Sequence, residues 1–211
     1  MTEMPRRSVS RASPDAAITA RPENIELLDW LARLFAVAPT EATIAAARSG
    51  PARAVLLQLS ETPDLLPGVG RLAAVLDCPM SDAALSARLA SVFGLLFSGA
   101  GGRETVSPYE SVHRTGRLFQ APARDMARRL AAHDLAAADA GEAPDHLSVE
   151  LALLAHLTAT DDPDCADLLR RMAEWLPDFR DLTLEKDPTG YFAGAAELLV
   201  ALLGREQHST D

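Results

Sequence analysis

Apolar residues recur at helical spacing along almost the whole chain, whereas the strict alternation expected of β-strands is nearly absent. The first such segment places Ile25, Leu28, Leu31, Leu34 and Phe35 on one face of a helix, because they are spaced at i, i+3 and i+4. A helix with an apolar face has to bury that face against a neighbouring element. The periodicity therefore predicts an all-α protein, a bundle of about ten helices.

Proline, glycine and capping residues give the expected ends of these helices. The first helix is expected to start near Pro22, and Ser81 is expected to cap a later one. The stretch 102–118 has no clear period and is predicted to be a long ordered loop, a kind of segment that often carries function. The further helices are predicted at 40–48, 51–60, 68–76, 81–97, 121–138, 144–160, 163–176, 177–186 and 190–203.

The run ADAGEA at 138–143 is the predicted boundary inside the chain, because small residues there interrupt the helical pattern. We expect an N-terminal helical half over 21–140 and a C-terminal helical half over 141–211. The two halves are expected to pack closely together. A short hinge containing Gly141 and Pro144 is expected to join them.

Residues 1–20 are predicted to be a disordered tail. Their Arg6-Arg7-Ser8 sequence resembles the start of a twin-arginine export signal, but polar residues and prolines follow where such a signal has an apolar stretch. No apolar run reaches the roughly 18 residues that would cross a bilayer. The expected location is therefore the cytoplasm, without insertion into a membrane.

Charge and cysteine content limit the partners. The 20 Lys and Arg residues against 30 Asp and Glu residues give a net charge of -10, which argues against nucleic acid. The same charge suits a cationic partner, or serves solubility alone. Cys78 and Cys165 have no metal-binding neighbours in sequence and are expected to be buried free thiols in a reducing compartment.

Two polar clusters stand out from the helical background: SPYESVH at 107–113 and EAPDHLSVE at 142–150. In the second cluster, Asp145 lies where a carboxylate interacts favourably with the free N–H groups of a helix start. It can therefore be a helix cap, with His146 as a half-buried packing residue, or both can recognise a partner. The amphipathic ring of Tyr109 suits either the edge of a core or a peptide groove.

Nucleotide and triad chemistry lack their supporting motifs. Gly99, Gly101 and Gly102 follow a helix, whereas a phosphate-binding loop follows a strand and ends in Gly-Lys-Ser/Thr. Ser111 and His146 lie in the two clusters, but no GxSxG turn surrounds the serine. Neither reaction is expected.

A metal site also lacks a full set of ligands. His146 and Glu150 are one helical turn apart and His156 falls near the same face, but zinc needs a further ligand from elsewhere. His133 lies in another helix, with no paired acid in evident register. We therefore expect neither a metal nor a cofactor, and no enzyme activity.

Six segments, in their order along the chain, resemble the TorD family of cytoplasmic chaperones for molybdoenzymes. The resemblance covers about 24–203, and its PYESVH and WLPDF sequences are closer to the TorD branch than to the DmsD branch, where a tryptophan is usual in the loop. The segments are DWLARLFA, FGLLFSG, SPYESVH, EAPDHLSVELALLAHL, AEWLPDFRDL and GYFAGAAELLVALL.

The resemblance implies a chaperone that binds its client in the cytoplasm before export. The implied partner is the apo form of a molybdopterin-dependent periplasmic reductase, together with its twin-arginine signal peptide. Such a chaperone assists insertion of the molybdenum cofactor and delays export until the client is loaded. The family also implies that the protein is a monomer or a dimer that exchanges helical halves.

The resemblance places the client-binding site at the two polar clusters. The family's EPxDH motif usually has its proline at the position of Ala143, whereas this chain has Pro144, so the hinge geometry is expected to differ. The residues implied in binding the signal peptide and client are Glu142, Asp145 and His146 in the second cluster and Pro108, Tyr109 and Ser111 in the first.

Two other classes of function stay open at this point. One is a nucleotide- or metal-dependent hydrolase on a helical scaffold. The other is a plain assembly scaffold, in which the polar clusters serve as helix caps.

Overall fold

The computed structural model describes residues 22–99, 102–135 and 143–208, and these ranges form eleven α-helices and one short 3-10 helix, Gly102–Glu104. The predicted all-α class is confirmed. The predicted tail at 1–20 and the hinge residue Gly141 lie outside the described residues. The helices are α1 (Pro22–Ala36), α2 (Glu41–Arg48), α3 (Gly50–Leu59), α4 (Leu66–Leu76), α5 (Asp82–Phe97), α6 (Glu110–Thr115), α7 (Ala121–Ala132), α8 (Leu147–Ala159), α9 (Asp164–Ala173), α10 (Leu176–Lys186) and α11 (Tyr191–His208).

Local capping explains where several of these helices begin. The hydroxyl of Ser81 accepts a hydrogen bond from the backbone N–H of Ala84 at 3.2 Å, so the predicted cap of α5 is confirmed. Thr40 does the same for α2 through the N–H of Thr43, also at 3.2 Å. Proline stands in the first turn of α3, α4, α7 and α10, where its missing N–H leaves no hydrogen bond unmade.

The prediction of a long loop at 102–118 is wrong, because this stretch contains α6 and the 3-10 helix. Six residues make fewer than two helical turns, too few positions to show a period in the sequence. A helix of that length is also unstable by itself, so contacts with other parts of the chain have to hold it. It ends at Gly116, which adopts the left-handed conformation (φ 75°) and donates its N–H to the carbonyl of Val112 at 2.8 Å.

One continuous core runs through the described residues. Helix α8 packs along α1, and α11 packs on α4 and α10. Because α1 and α4 precede the predicted boundary while α8 and α11 follow it, the predicted halves share this core. Their division at 21–140 and 141–211 stays a prediction.

Two predictions, one on membrane crossing and one on the cysteine thiols, can be compared with the described residues. None of the described helices combines the length and the apolar character that a membrane crossing requires. Cys78 and Cys165 are free thiols as expected, but both are half-buried rather than buried.

Backbones touch where α4 crosses α11. A Cβ atom added to Gly68 would lie 2.5 Å from the backbone nitrogen of Leu198 and 2.8 Å from the carbonyl oxygen of Gly194. A Cβ added to Gly194 would lie 2.9 Å from the carbonyl oxygen of Gly68. These are backbone atoms that cannot move aside as a side chain does, so glycine is required on both helices.

The crossing gives the first testable prediction. Gly68→Ala is expected to lower the free energy of unfolding by about 1–3 kcal/mol, because the added methyl group forces the two helices apart. Gly70→Ala is the matched control on the same helix: nothing lies within 4 Å of its added Cβ. That variant is expected to be neutral or to gain up to about 1 kcal/mol from helix propensity. Equal effects of the two changes in urea unfolding would contradict the close crossing.

Candidate partner-binding site

The two polar clusters meet in the folded chain. The residues before α6 run antiparallel to those before α8, and Tyr109 and His146 form an isolated β-bridge. The N–H of Leu147 donates to the carbonyl of Pro108 at 2.8 Å, and the N–H of Glu110 donates to the carbonyl of Asp145 at 3.1 Å. The structure thus brings together five of the six predicted binding residues; Glu142 lies outside the described residues.

The carboxylate of Asp145 is fully buried and is bonded to α6. One of its oxygens accepts a hydrogen bond from the N–H of Ser111 at 2.8 Å and a second from the Ser111 hydroxyl. Tyr109, the residue at the cap position of α6, makes no side-chain cap of its own. The expectation that Asp145 caps its own helix is therefore wrong: it caps α6, across the bridge. Because the Ser111 hydroxyl is bonded to Asp145, it forms no nucleophile–base pair with His146.

His146 caps α8 with its ring. Its Nδ1 accepts a hydrogen bond from the N–H of Ser148 at 3.2 Å and lies 2.7 Å from the Ser148 hydroxyl. A ring nitrogen that accepts carries no proton, so the proton of the neutral ring is on Nε2. The ring packs edge-on against Tyr109, with centroids 4.8 Å apart. Only 5% of His146 is exposed, so it is more deeply buried than the sequence suggested.

The displaced proline lies in a turn that positions both residues. The N–H of His146 donates to the carbonyl of Ala143 at 3.0 Å, which closes a four-residue turn. Pro144 is its second residue, the position that the fixed φ of proline suits. The turn therefore directs Asp145 towards α6 and places His146 at the start of α8. The predicted hinge role of Pro144 stays a prediction.

Glu110 is a second buried carboxylate, which the sequence analysis did not single out. Its Oε1 accepts a hydrogen bond from Arg114 at 2.8 Å, and its Oε2 is bonded to Arg171 of α9. Arg171 also donates to the carbonyl of Pro122 at 2.8 Å, which ties α6, α7 and α9 together. The only signal in the sequence is an acid inside an otherwise polar cluster, and nothing there indicates that α9 supplies its partner.

Glu150 is a third buried carboxyl group, and burial makes it keep its proton to higher pH than an exposed glutamate does. Burial raises its pKa well above the usual value for glutamate, and the charge of Glu110 acts in the same direction, while Arg171 opposes it. Its Oε2 accepts a hydrogen bond from the indole N–H of Trp175 at 3.3 Å. Its Oε1 is buried and has no hydrogen-bond partner among the described residues. Glu150 thus faces Trp175 and does not share a ligand position with His146.

His113 shapes the segment that leads into α6. Its Nε2 lies 2.7 Å from the carbonyl oxygen of Ser107, and its ring lies 5.1 Å from that of Trp175. Burial lowers the pKa of His113, so the neutral ring donates its Nε2–H to Ser107. The ring also contacts Phe179 edge-on, with centroids 6.0 Å apart. These contacts hold the first polar cluster over α10.

Acids that are distant in the sequence lie beside His133 in the folded chain, where the sequence showed none in evident register. Its Nδ1 lies 3.7 Å from a carboxylate oxygen of Asp162, and its Nε2 lies 3.4 Å from one of Asp164. These three side chains are the one group among the described residues with donor spacing that suits a metal. The two carboxylates lie beside opposite nitrogens of the ring, and the ring is within hydrogen-bond distance of Asp164, so contacts among the three side chains account for the cluster.

Comparison with known proteins agrees with these motifs. Residues 62–182 match the family model of the nitrate reductase delta subunit. The chain is 29% identical over 201 residues to the chaperone protein TorD of Vibrio cholerae, covering 88% of this chain and 91% of that protein. It is 31% identical over 162 residues to TorD of Ferrimonas balearica, covering 74% of each.

A solved structure shares the fold. A candidate redox enzyme maturation protein from Archaeoglobus fulgidus superimposes with a TM-score of 0.55 at 18% identity, covering 92% of this chain and 98% of that one. The fold and the site thus define an all-helical protein in which buried polar groups join two distant segments. The chain belongs to the nitrate reductase delta subunit family, the family of the TorD and NarJ chaperones, and the resemblance found in the sequence is confirmed.

The bond between Asp145 and Ser111 gives the second prediction. Asp145→Ala is expected to lower the free energy of unfolding by about 2–4 kcal/mol, because the N–H and hydroxyl of Ser111 are left buried without an acceptor. Ser111→Ala is expected to lower it by about 1 kcal/mol. A double-mutant cycle is expected to give a coupling of about 1–2 kcal/mol. Ser91→Ala, at an exposed helical serine, is the control, with a change within about 0.5 kcal/mol. Additive effects of Asp145→Ala and Ser111→Ala would contradict the bond.

The protonated carboxyl of Glu150 gives the third prediction. The unfolded chain releases this proton at lower pH than the folded protein, so the contribution of Glu150 to the stability of the wild type falls as pH rises above about 4.5. Glutamine cannot titrate, so the stability of Glu150→Gln relative to wild type is expected to increase with pH from that point. The slope is at most about 1.4 kcal/mol per pH unit.

Urea unfolding between pH 4.5 and 8 measures this difference. Glu61→Gln, at an exposed glutamate, controls for the loss of one carboxylate from the surface. A difference between Glu150→Gln and wild type that does not change with pH would mean that Glu150 is not protonated in the folded protein.

Proposed function

We propose that this protein is a system-specific chaperone for the maturation of a molybdoenzyme. It binds the twin-arginine signal peptide and the apo core of a periplasmic reductase, assists insertion of the molybdenum cofactor, and delays export until the client is loaded. The observation that carries this proposal is the bridge between Tyr109 and His146, which joins the two TorD-like motifs in one site. Relatives at 25–31% identity that carry the name chaperone protein TorD support it.

The buried residues of the site act by holding its shape. Asp145 and His146 are buried and offer almost no surface to a peptide. Their role is instead to fix the segment 107–113 against α8. The contact surface for the client is then the outer side of this segment, where Tyr109 is half-buried. Glu142 is proposed to add an acidic contact, and Gly141 and Pro144 to form the hinge.

Such a site matches both parts of a twin-arginine signal, whose start is cationic and whose continuation is apolar. Burying about 300–400 Å² of apolar peptide surface contributes about 8–10 kcal/mol. Ordering the peptide and losing its free motion offsets several kcal/mol of that gain. The result is an affinity on the order of micromolar, which allows release after loading.

The chaperone is proposed to work in the cytoplasm without catalysing a reaction. Its client is proposed to be the apo form of a reductase of the dimethyl sulfoxide reductase type. As a monomer or as a dimer that exchanges helical halves, it presents the same bridge, because the bridge joins segments from the two predicted halves.

The fourth prediction concerns capture of the client. A reductase of this type, co-expressed with the chain in cells that cannot make the molybdenum cofactor, is expected to co-purify with it, whereas the loaded enzyme without its signal is not. His146→Asn is expected to weaken binding about 3- to 10-fold, because asparagine caps the helix but lacks the ring that packs on Tyr109.

The matched control is His156→Asn, at an exposed histidine of the same helix α8. Calorimetry with the client's signal peptide measures affinity, and thermal unfolding shows that both variants fold. Capture of apo and loaded reductase in equal amounts would rule out a maturation chaperone. Unchanged affinity in His146→Asn would limit His146 to capping α8.

A further inference from the structure

An open pocket of about 560 Å³ lies between the first polar cluster and α10. Its volume is within the range of about 300–1,000 Å³ found for ligand sites. Asp178, Asp181 and Glu185 line one wall. They stand three and four residues apart on α10, so their carboxylates share one face of that helix.

This wall carries negative charge that the protein does not fully balance. Within the part of the chain that the structure describes, Asp178 and Glu185 have no ion-pair partner, while Asp181 pairs with Arg180 at 2.7 Å. The nearby ammonium group of Lys186 is bonded to the carbonyl of Arg103 at 2.7 Å. No lysine or arginine lines the pocket.

The opposite wall is the cluster itself. Ser107, Val112 and His113 line it, and Leu182 of α10 adds apolar surface. His113 supplies no positive charge, because burial lowers its pKa and its ring already donates to Ser107. The pocket is therefore continuous with the site described above, and its walls combine carboxylates with apolar side chains.

Thr105 contributes a further polar atom to the pocket. It lines the pocket, and its hydroxyl oxygen is buried without a hydrogen-bond partner among the described residues. A buried side-chain polar atom left in this state is uncommon, since the large majority of such atoms are paired. The combination of unpaired carboxylates and a free hydroxyl oxygen calls for a ligand that donates several hydrogen bonds and carries positive charge. A guanidinium group, with five N–H donors in a planar fork, fits this description.

We propose that this pocket, which we call the acidic pocket, binds arginine side chains of the client's signal peptide. The inference rests on the proposed chaperone function and names the surface that recognises the cationic part of the peptide. The other groove of note, about 290 Å³ between α1 and α3, is lined by Glu26 and Asp29 but also by Arg33. Arg33 partly balances the charge of these two carboxylates, so the groove suits a guanidinium ligand less well.

The fifth prediction tests this assignment by peptide binding. The probe is a fluorescein-labelled synthetic peptide of about 20 residues with an arginine pair followed by a leucine-rich stretch. A second peptide has glutamine in place of both arginines. The double variant Asp178→Asn, Glu185→Gln is expected to bind the arginine peptide about 3- to 20-fold more weakly and the glutamine peptide within about 2-fold of wild type. The expected loss shrinks as salt is raised, because both carboxylates are exposed.

The matched control is the double variant Glu41→Gln, Glu61→Gln, which removes two exposed carboxylates away from both the acidic pocket and the groove between α1 and α3. It is expected to bind both peptides as wild type does. If both double variants bound the arginine peptide equally weakly, the overall charge of the protein would explain the effect, and the proposal would be overturned. A changed elution volume in size-exclusion chromatography of the pocket variant alone would assign the pocket to a second copy of the chain, and would also overturn it.

The same titrations separate this proposal from the proposed function. Equal affinity of the wild type for the arginine and glutamine peptides would overturn the pocket assignment while leaving signal-peptide binding intact. Binding of neither peptide would overturn both. As a direct check, a benzophenone beside the arginine pair is expected to crosslink to 105–113 or 178–185. Crosslinks confined to α1 and α3 would contradict the assignment.

Discussion

The carboxylate of Asp145 has no contact with water and accepts two hydrogen bonds from Ser111. A buried carboxylate is strongly disfavoured unless such bonds replace its hydration, so the position of each residue depends on the other. The same contact orients the backbone pairing between Pro108 and Leu147. The exposed surface of the first polar cluster depends on this anchoring. So does the wall of the acidic pocket that the cluster forms.

Balance of charge in the interior adds a second constraint. Three carboxyl groups, those of Glu110, Asp145 and Glu150, are fully buried, and the arginines that serve them are Arg114 and Arg171. Arg114 also pairs with Glu174, and Arg171 also lies near Asp125, so neither guanidinium group is available to Glu150 alone. A further carboxylate left ionised in the interior without a partner would be strongly destabilising, which is why the pKa of Glu150 is raised. Around this site, the exposed carboxylates without an ion-pair partner among the described residues, Asp178 and Glu185, lie on α10.

The sequence predicts the parts of this architecture that depend on local patterns. The cap at Ser81 and the helix at Pro22 follow from residues within one or two turns, and both were predicted. The partner of Asp145 was not, because hydrogen bonds across 34 positions leave no periodic trace. Helix α6 was missed because its stability comes from those contacts rather than from its own residues. The protonation of Glu150 likewise depends on burial that only the folded chain defines.

Capping of α6 by Asp145 makes this short helix conditional on a distant part of the chain. Because Tyr109 gives α6 no side-chain cap, we expect the segment to complete this helix only where a 143–146 turn lies beside it. The docked turn satisfies the same hydrogen bonds whether it belongs to the same molecule or to another copy. The site is therefore assembled by docking of the turn, and release of the turn is expected to unfold α6 and, with it, the surface proposed to bind the client.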